Sequence, residues 1–148
     1  MMKRLFPLFA FIVVGALCAF AQESFPVVLE REMKSEILGT AKKYCIYLPA
    51  GYGDESKEFP VLYLLHGLTD THTAWRDKGN VQAIATDIFE SGKAQEMVIV
   101  MPDAGTTFDG YFNVPGWRYE DFFFQEFIPH IEKEYRVIAD KGHRAIAG

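Results

Sequence analysis

Val61-Leu62-Tyr63-Leu64-Leu65-His66-Gly67-Leu68 is a run of apolar residues that passes directly into a loop opening with His-Gly. A strand with one wet face alternates apolar and polar residues. This one does not, so it is expected to lie inside a parallel sheet, buried on both faces. Its loop then leaves from the carboxyl end of a buried strand, where α/β proteins bind their ligands. The same unbroken pattern returns in Met97-Val98-Ile99-Val100-Met101, which stops at Pro102. Between the two, Val81, Ile84, Ala85, Ile88 and Phe89 recur at helical spacing, with Asn80 or Asp77 available as N-cap and Gly92 placed to end the helix. Strand, helix, strand at this spacing predicts a βαβ unit.

Upstream, Glu30, Glu32, Lys34 and Glu36 alternate with Leu29, Met33 and Ile37, which predicts a half-exposed strand from Val27 to Ile37. Gly39-Thr40 reads as a turn and Tyr44 to Leu48 as the antiparallel partner, closed by Pro49. The segment from Ala50 to Pro60 carries Asp54, Glu55, Lys57 and Glu58 and is expected to be a solvated loop. Downstream, Phe123, Phe127 and Ile131 share one face of a helix expected from about Tyr119 to Tyr135, with Glu120 and Asp121 at its positive end and Pro129 as a kink. Arg144-Ala145-Ile146-Ala147 begins a further strand, its small side chains suited to a crowded central position. The expected fold class is therefore α/β: an antiparallel opening hairpin, then parallel strands with flanking helices.

Hydrophobic residues make up 49% of the chain and aromatic ones 15%, enough for a real core, and the formal net charge of −5 argues against a nucleic-acid partner. Lys3 and Arg4 before the apolar run Leu5 to Phe20, with Ala19-Phe20-Ala21 as a small-x-small site, read as an export signal over residues 1–21. Residues 22–148 would then form the mature domain, secreted or periplasmic. The run is too short for a stable membrane span and contains Pro7. A lipoprotein signal ending at Cys18 is disfavoured by the large Leu17 before it. With the leader gone, Cys45 is left without a disulfide partner, and it reads as a small buried hydrophobe.

Acyl transfer needs a nucleophile, a base, a group that orients the base and donors for the oxyanion. Ser24, Ser35, Ser56 and Ser91 all lie outside any strand-turn-helix with flanking glycines, so none is a good nucleophile. The oxyanion side is better represented. The backbone N–H of Leu68 could donate to a tetrahedral intermediate, Gly67 allows close approach, and His66 at the strand end is suited to holding the loop rather than acting as base. An ordinary turn is the competing reading of His-Gly. Phe108, Tyr111, Phe112, Trp117 and Tyr119 surround a Gly-containing loop, where Tyr111 and Trp117 could stack on a sugar or phenolic acid or simply pack the loop. No cofactor is expected, and no metal: a site built on His66 and His72 would need partners that the sequence does not offer, while His130 and His143 read as solvated or packing residues.

The ordered series Phe59 to Leu68, Trp75, Val98 to Asp103, Tyr119 to Phe123, Phe127-Ile128-Pro129, Tyr135-Arg136 and Arg144 to Gly148 resembles the Putative esterase family of the α/β-hydrolase superfamily, which includes feruloyl and acetyl-xylan esterases, S-formylglutathione hydrolases and mycolyltransferases. In that family the segment matching Arg144 to Gly148 continues into Gly-x-Ser-x-Gly. The resemblance thus implies that Gly148 is the first of those glycines, that the serine falls two residues on, and that acid and histidine follow. It implies the N-terminal portion of a hydrolase sheet, truncated before the nucleophile elbow and inactive alone. The implied substrate is a small-molecule or polysaccharide ester, acetyl or feruloyl, because export disfavours S-formylglutathione. A thioesterase of that last type and a non-catalytic carbohydrate-binding protein stand as alternatives.

Overall fold

The computed structural model describes residues 24–148, so the leader expected over residues 1–21 lies outside them. Strand β1 (Val27–Ser35) pairs antiparallel with β2 (Thr40–Leu48), from Val27 opposite Leu48 to Ser35 opposite Thr40. Gly39 turns the hairpin at φ +64°, which suits glycine. After β2 come a 3₁₀ turn (Ala50–Gly53), β3 (Val61–Leu64), a single helical turn α1 (Ala74–Asp77), α2 (Val81–Glu90) and β4 (Val98–Pro102). A two-stranded ribbon of β5 (Asn113–Val114) and β6 (Trp117–Arg118) follows, then α3 (Tyr119–Phe122), a π-helical stretch (Phe123–Phe127) and α4 (Ile128–Glu134). A 3₁₀ turn (Lys141–His143) leads into β7 (Arg144–Ala147).

Among the described residues the main sheet has five strands in the order β1-β2-β4-β3-β7, with β3 parallel to both of its neighbours and β2 antiparallel to β4. The mixed α/β class expected from the sequence is the one observed. One face buries Tyr63, Phe122, Phe127 and Ile131 beneath the α3–π–α4 segment, and the other packs Tyr47, Ile99 and Met101 against Val81 and Ala85 of α2. Among the described residues no helix is long and apolar enough to cross a membrane.

Several local expectations are corrected. The segment from Ala50 to Pro60 is not simply solvated: Tyr52 and Phe59 are buried in the core, and the Tyr52 hydroxyl accepts from the Arg136 N–H. Phe59 also bridges to Val137, which extends the sheet beyond its named strands. Asn80 precedes α2 at φ +48° and makes no side-chain cap, and Asp77 belongs to α1. At the other end Gly92 does close α2: its N–H reaches the Phe89 carbonyl and the Lys93 N–H that of Ile88, a Schellman pair at positive φ. Ile84, counted on the buried stripe of α2, is 53% exposed.

Pro129 falls in the first turn of α4. It cannot donate to the carbonyl four residues back, and the helix widens into a π turn immediately before it. Strand β7 pairs with β3, and Ile146 on it is 51% exposed.

Candidate active site

Where β3 ends, successive residues bond in opposite directions. The Leu65 N–H donates to the Ala147 carbonyl of β7 at 2.7 Å, and the Leu65 carbonyl accepts the Trp75 indole N–H at 2.9 Å. His66 therefore faces the β4 side, where that strand runs out at Pro102, a residue with no N–H to give. The Tyr111 hydroxyl stands in for the missing strand, accepting from the His66 N–H at 2.8 Å and donating to the His66 carbonyl at 3.2 Å. Burial pushes the Tyr111 phenol well above its ordinary range, so the proton needed for that second bond is retained.

The imidazole of His66 is buried, and its two nitrogens have separate partners. The Ala104 N–H donates to Nε2 at 3.0 Å, so Nε2 is an acceptor and the ring proton sits on Nδ1. Nδ1 lies 2.9 Å from the Gly67 carbonyl and donates to it. Asp103 forms the turn that presents Ala104. Its carboxylate accepts the Gly105 N–H and pairs with the buried Lys42 ammonium at 3.1 Å. With its lone pair engaged, the ring is held as a structural donor.

The Gly67 carbonyl also accepts from the Asp70 N–H, at 3.1 Å. A trans peptide sets the carbonyl of one residue and the N–H of the next in opposite directions. Two donors on the Gly67 oxygen thus fix the Leu68 N–H on the opposite side of the peptide, and among the described residues it has no acceptor. The loop holds Thr69 at φ +69°, a conformation that costs on the order of 1 kcal/mol for a β-branched residue. Asp70, the next residue, is tied to the Lys78 ammonium. Leu68 itself is 53% exposed.

Within the protein itself, the two glycines at this strand end differ in the room around them. A Cβ on Gly67 would meet nothing nearer than the Asp70 carboxylate at 4.0 Å, whereas one on Gly148 would fall 2.7 Å from the Leu65 carbonyl oxygen. At this strand end Gly148 is the glycine that backbone contact demands, packed against Leu65 of the strand that leads into the Leu68 loop.

The aromatic candidates divide. Tyr111 lines a cleft of about 190 Å³ with Leu65, Phe112, Phe123, Phe124 and Ile146. Trp117 is not among its lining residues. Its ring stacks on Tyr119 and lies under the Lys42 ammonium at 5.2 Å, and its indole N–H donates to Gly110. Phe108 and Phe112 are 89% and 70% exposed.

None of the serines is placed for nucleophilic attack. Ser35 donates to Glu126, Ser56 to Asp54 and Ser91 to the Ile88 carbonyl, while Ser24 is exposed.

His72, paired with His66 in the metal reading of the sequence, gathers instead with Glu30 and Cys45, their ligand atoms within 4.8 Å of one another. The positive charge that a metal ion would bring to this group is already supplied by Arg76, which donates to the Glu30 carboxylate at 3.1 Å and approaches the Cys45 sulfur at 3.8 Å. His72 and Arg76 hold the Glu30 carboxyl below its usual range, and burial pushes the Cys45 thiol up to about 11. Sequence reasoning missed this cluster, the Glu126 contacts and the Asp103–Lys42 pair, because each joins side chains from distant segments.

The family profile described as Putative esterase matches residues 35–148. An endo-1,4-beta-xylanase/feruloyl esterase of Xylanibacter ruminicola is 34% identical over 122 residues, covering 77% of this chain and 17% of that protein. A solved ferulic acid esterase is 44% identical, with a TM-score of 0.79 over 82% of this chain and 48% of its own. A ferulic acid esterase from Anaeromyces mucronatus, solved in complex with ferulic acid, is 28% identical with a TM-score of 0.69, covering 82% and 47%. The S-formylglutathione hydrolase of Staphylococcus aureus, 18% identical with a TM-score of 0.59, shares the fold. The chain spans about half the length of these solved relatives. With the profile matched over residues 35–148, the chain belongs to the Putative esterase family.

Proposed function

We propose that the chain is the oxyanion-binding portion of an exported serine carboxylic-ester hydrolase acting on acetyl or feruloyl esters of polysaccharide. The observation that carries this reading is the Gly67–Leu68 peptide at the end of β3, held through two contacts on the Gly67 carbonyl while the Leu68 N–H has no acceptor among the described residues. During acyl transfer the ester carbonyl becomes an oxyanion. A donor already held in place stabilises it without reorganising at the moment of reaction. Gly148 packs against Leu65, three residues before this donor, and in the family pattern the serine falls two residues further on, which supports the same reading. Relatives named as feruloyl esterases support a phenolic ester, and the leader expected at residues 1–21 supports a substrate outside the cytoplasm.

The test is to compare the 148-residue chain with the reading frame extended past Gly148, on methyl ferulate, p-nitrophenyl acetate and S-formylglutathione. The extended protein should cleave the first two, and the 148-residue chain none. Cleavage of the thioester alone would remove the polysaccharide assignment, and an extended frame with no serine two residues on would remove the enzyme. The exposure of Phe108 and Phe112 favours a second contribution, contact with a sugar or phenolic ring, which retention on insoluble arabinoxylan would measure.

A further inference from the structure

The Leu68 donor depends on a chain of contacts that begins outside its own loop. Its direction is set by the Gly67 carbonyl, which is held by Nδ1–H of His66. The His66 ring is held in turn by Ala104, and its main chain by one side chain, that of Tyr111. Tyr111 comes from the irregular segment between β4 and β5, and its ring packs edge-on to buried Tyr119 at 5.4 Å and against His66 at 5.5 Å. One hydroxyl thus both accepts from and donates to the same residue, at the point where the sheet has no strand left to offer. A side chain that only filled space would need neither bond.

We propose that Tyr111 is a positioning residue for the Leu68 N–H, and that its hydroxyl couples the segment carrying Phe108 and Phe112 to the oxyanion donor. A ligand that moves this segment would then change turnover rather than affinity alone. The proposal rests on the oxyanion reading of Leu68, but the clamp can be measured without it.

The experiment uses the protein extended past Gly148. Tyr111→Phe keeps the ring and removes both bonds. Turnover of methyl ferulate should fall on the order of 10-fold or more with KM within about twofold, because misplacing a donor raises the barrier without removing substrate contacts. Amide hydrogen exchange at His66 should accelerate, while exchange along α2 should not. Tyr47→Phe removes another buried hydroxyl, bonded to Thr86, and should leave turnover unchanged. Unchanged exchange at His66 overturns the clamp. Faster exchange with unchanged turnover leaves the clamp standing and overturns the coupling to catalysis. Loss of all activity on every ester tested by the unsubstituted protein instead removes the esterase reading and the proposal with it. Should Tyr111→Phe not fold, amide exchange in the unsubstituted protein decides the matter: the hydroxyl is the partner of the His66 N–H, so that amide should be protected, and exchange at the rate of a free amide overturns the clamp.

Discussion

Gly148 lies so close to Leu65 that a Cβ in its place would stand 2.7 Å from the Leu65 carbonyl oxygen and 2.8 Å from the Leu65 Cβ. The oxygen it would displace is the one that accepts the Trp75 indole N–H. The ends of β7 and β3 are therefore fitted through backbone contact, with no side chain between them.

Gly148→Ala should consequently destabilise the fold by about 1–3 kcal/mol, the usual cost of forcing a methyl group into filled space. Urea denaturation of the extended protein, followed by Trp fluorescence, measures it. A midpoint equal to that of the unsubstituted protein would show that β7 can shift away from Leu65 freely.

At Leu68 the backbone should matter and the side chain should not. Leu68→Ala is expected to keep most of the activity, since the side chain is half-exposed, whereas Leu68→Pro removes the N–H and should cost on the order of 10²-fold in kcat. Equal activity in a folded Leu68→Pro variant would mean that the donor lies elsewhere.

Glu126 ties the π-helical stretch to the hairpin turn. Its carboxylate accepts from the Ser35 hydroxyl at 2.5 Å and from the N–H groups of Glu36 and Ile37 at 3.1 Å. Glu126→Ala leaves buried Ser35 and two amides without that acceptor and should cost on the order of 2 kcal/mol. Glu126→Gln keeps an acceptor and should cost less. A Gln variant as damaged as the Ala variant would point to the charge rather than the bonds.

Acid should weaken the fold through His130 before it reaches the carboxylates. Burial holds the His130 pKa below its ordinary 6.5, and the ring faces the Tyr44 hydroxyl at 3.2 Å. The unfolded chain thus binds this proton more readily than the folded one. The stability contribution is complete above pH 6.5 and is lost as pH falls from there through the folded value. Glu30, Asp77 and Asp140 have lowered pKa values, and their contributions fail in a lower window, beneath ordinary values of 4.5, 3.8 and 3.8. Denaturation midpoints between pH 7 and 5 should therefore fall less for His130→Gln than for the unsubstituted protein. Parallel curves would assign the loss to another group.

The elements that the sequence disclosed are those whose burial is uniform or periodic. Val98 to Met101 lacks polar interruption because both faces are covered, Val61 to Leu64 buries Val61 and Tyr63 on one face and half-buries Leu62 and Leu64 on the other, and Glu30, Glu32 and Lys34 mark the wet face of β1 because water takes it. Illegible features arise where a residue's partner lies far along the chain. Tyr52 sits in a charged, glycine-containing segment that reads as solvent-facing, yet Arg136 brings it inside. Asn80 has the chemistry of a cap, but its left-handed backbone goes with no capping bond. At the site, a loop after a buried strand was readable from apolar patterning. The direction of the Leu68 N–H was not, because it depends on a histidine tautomer fixed by Ala104 and a hydroxyl delivered by Tyr111.

The strand order has a consequence for a chain made from its amino end. The opening hairpin does not join the sheet through the strand that follows it: Tyr44 waits for Pro102, and β3 emerges earlier only to lie beyond β4. Until β4 has been synthesised, the inner edge of β2 carries unpaired N–H and C=O groups, and two apolar strands have no common neighbour to join them. Nascent chains would spend that interval open to mispairing with one another, so holding factors that shield extended segments should raise the yield most when they act before Pro102 appears.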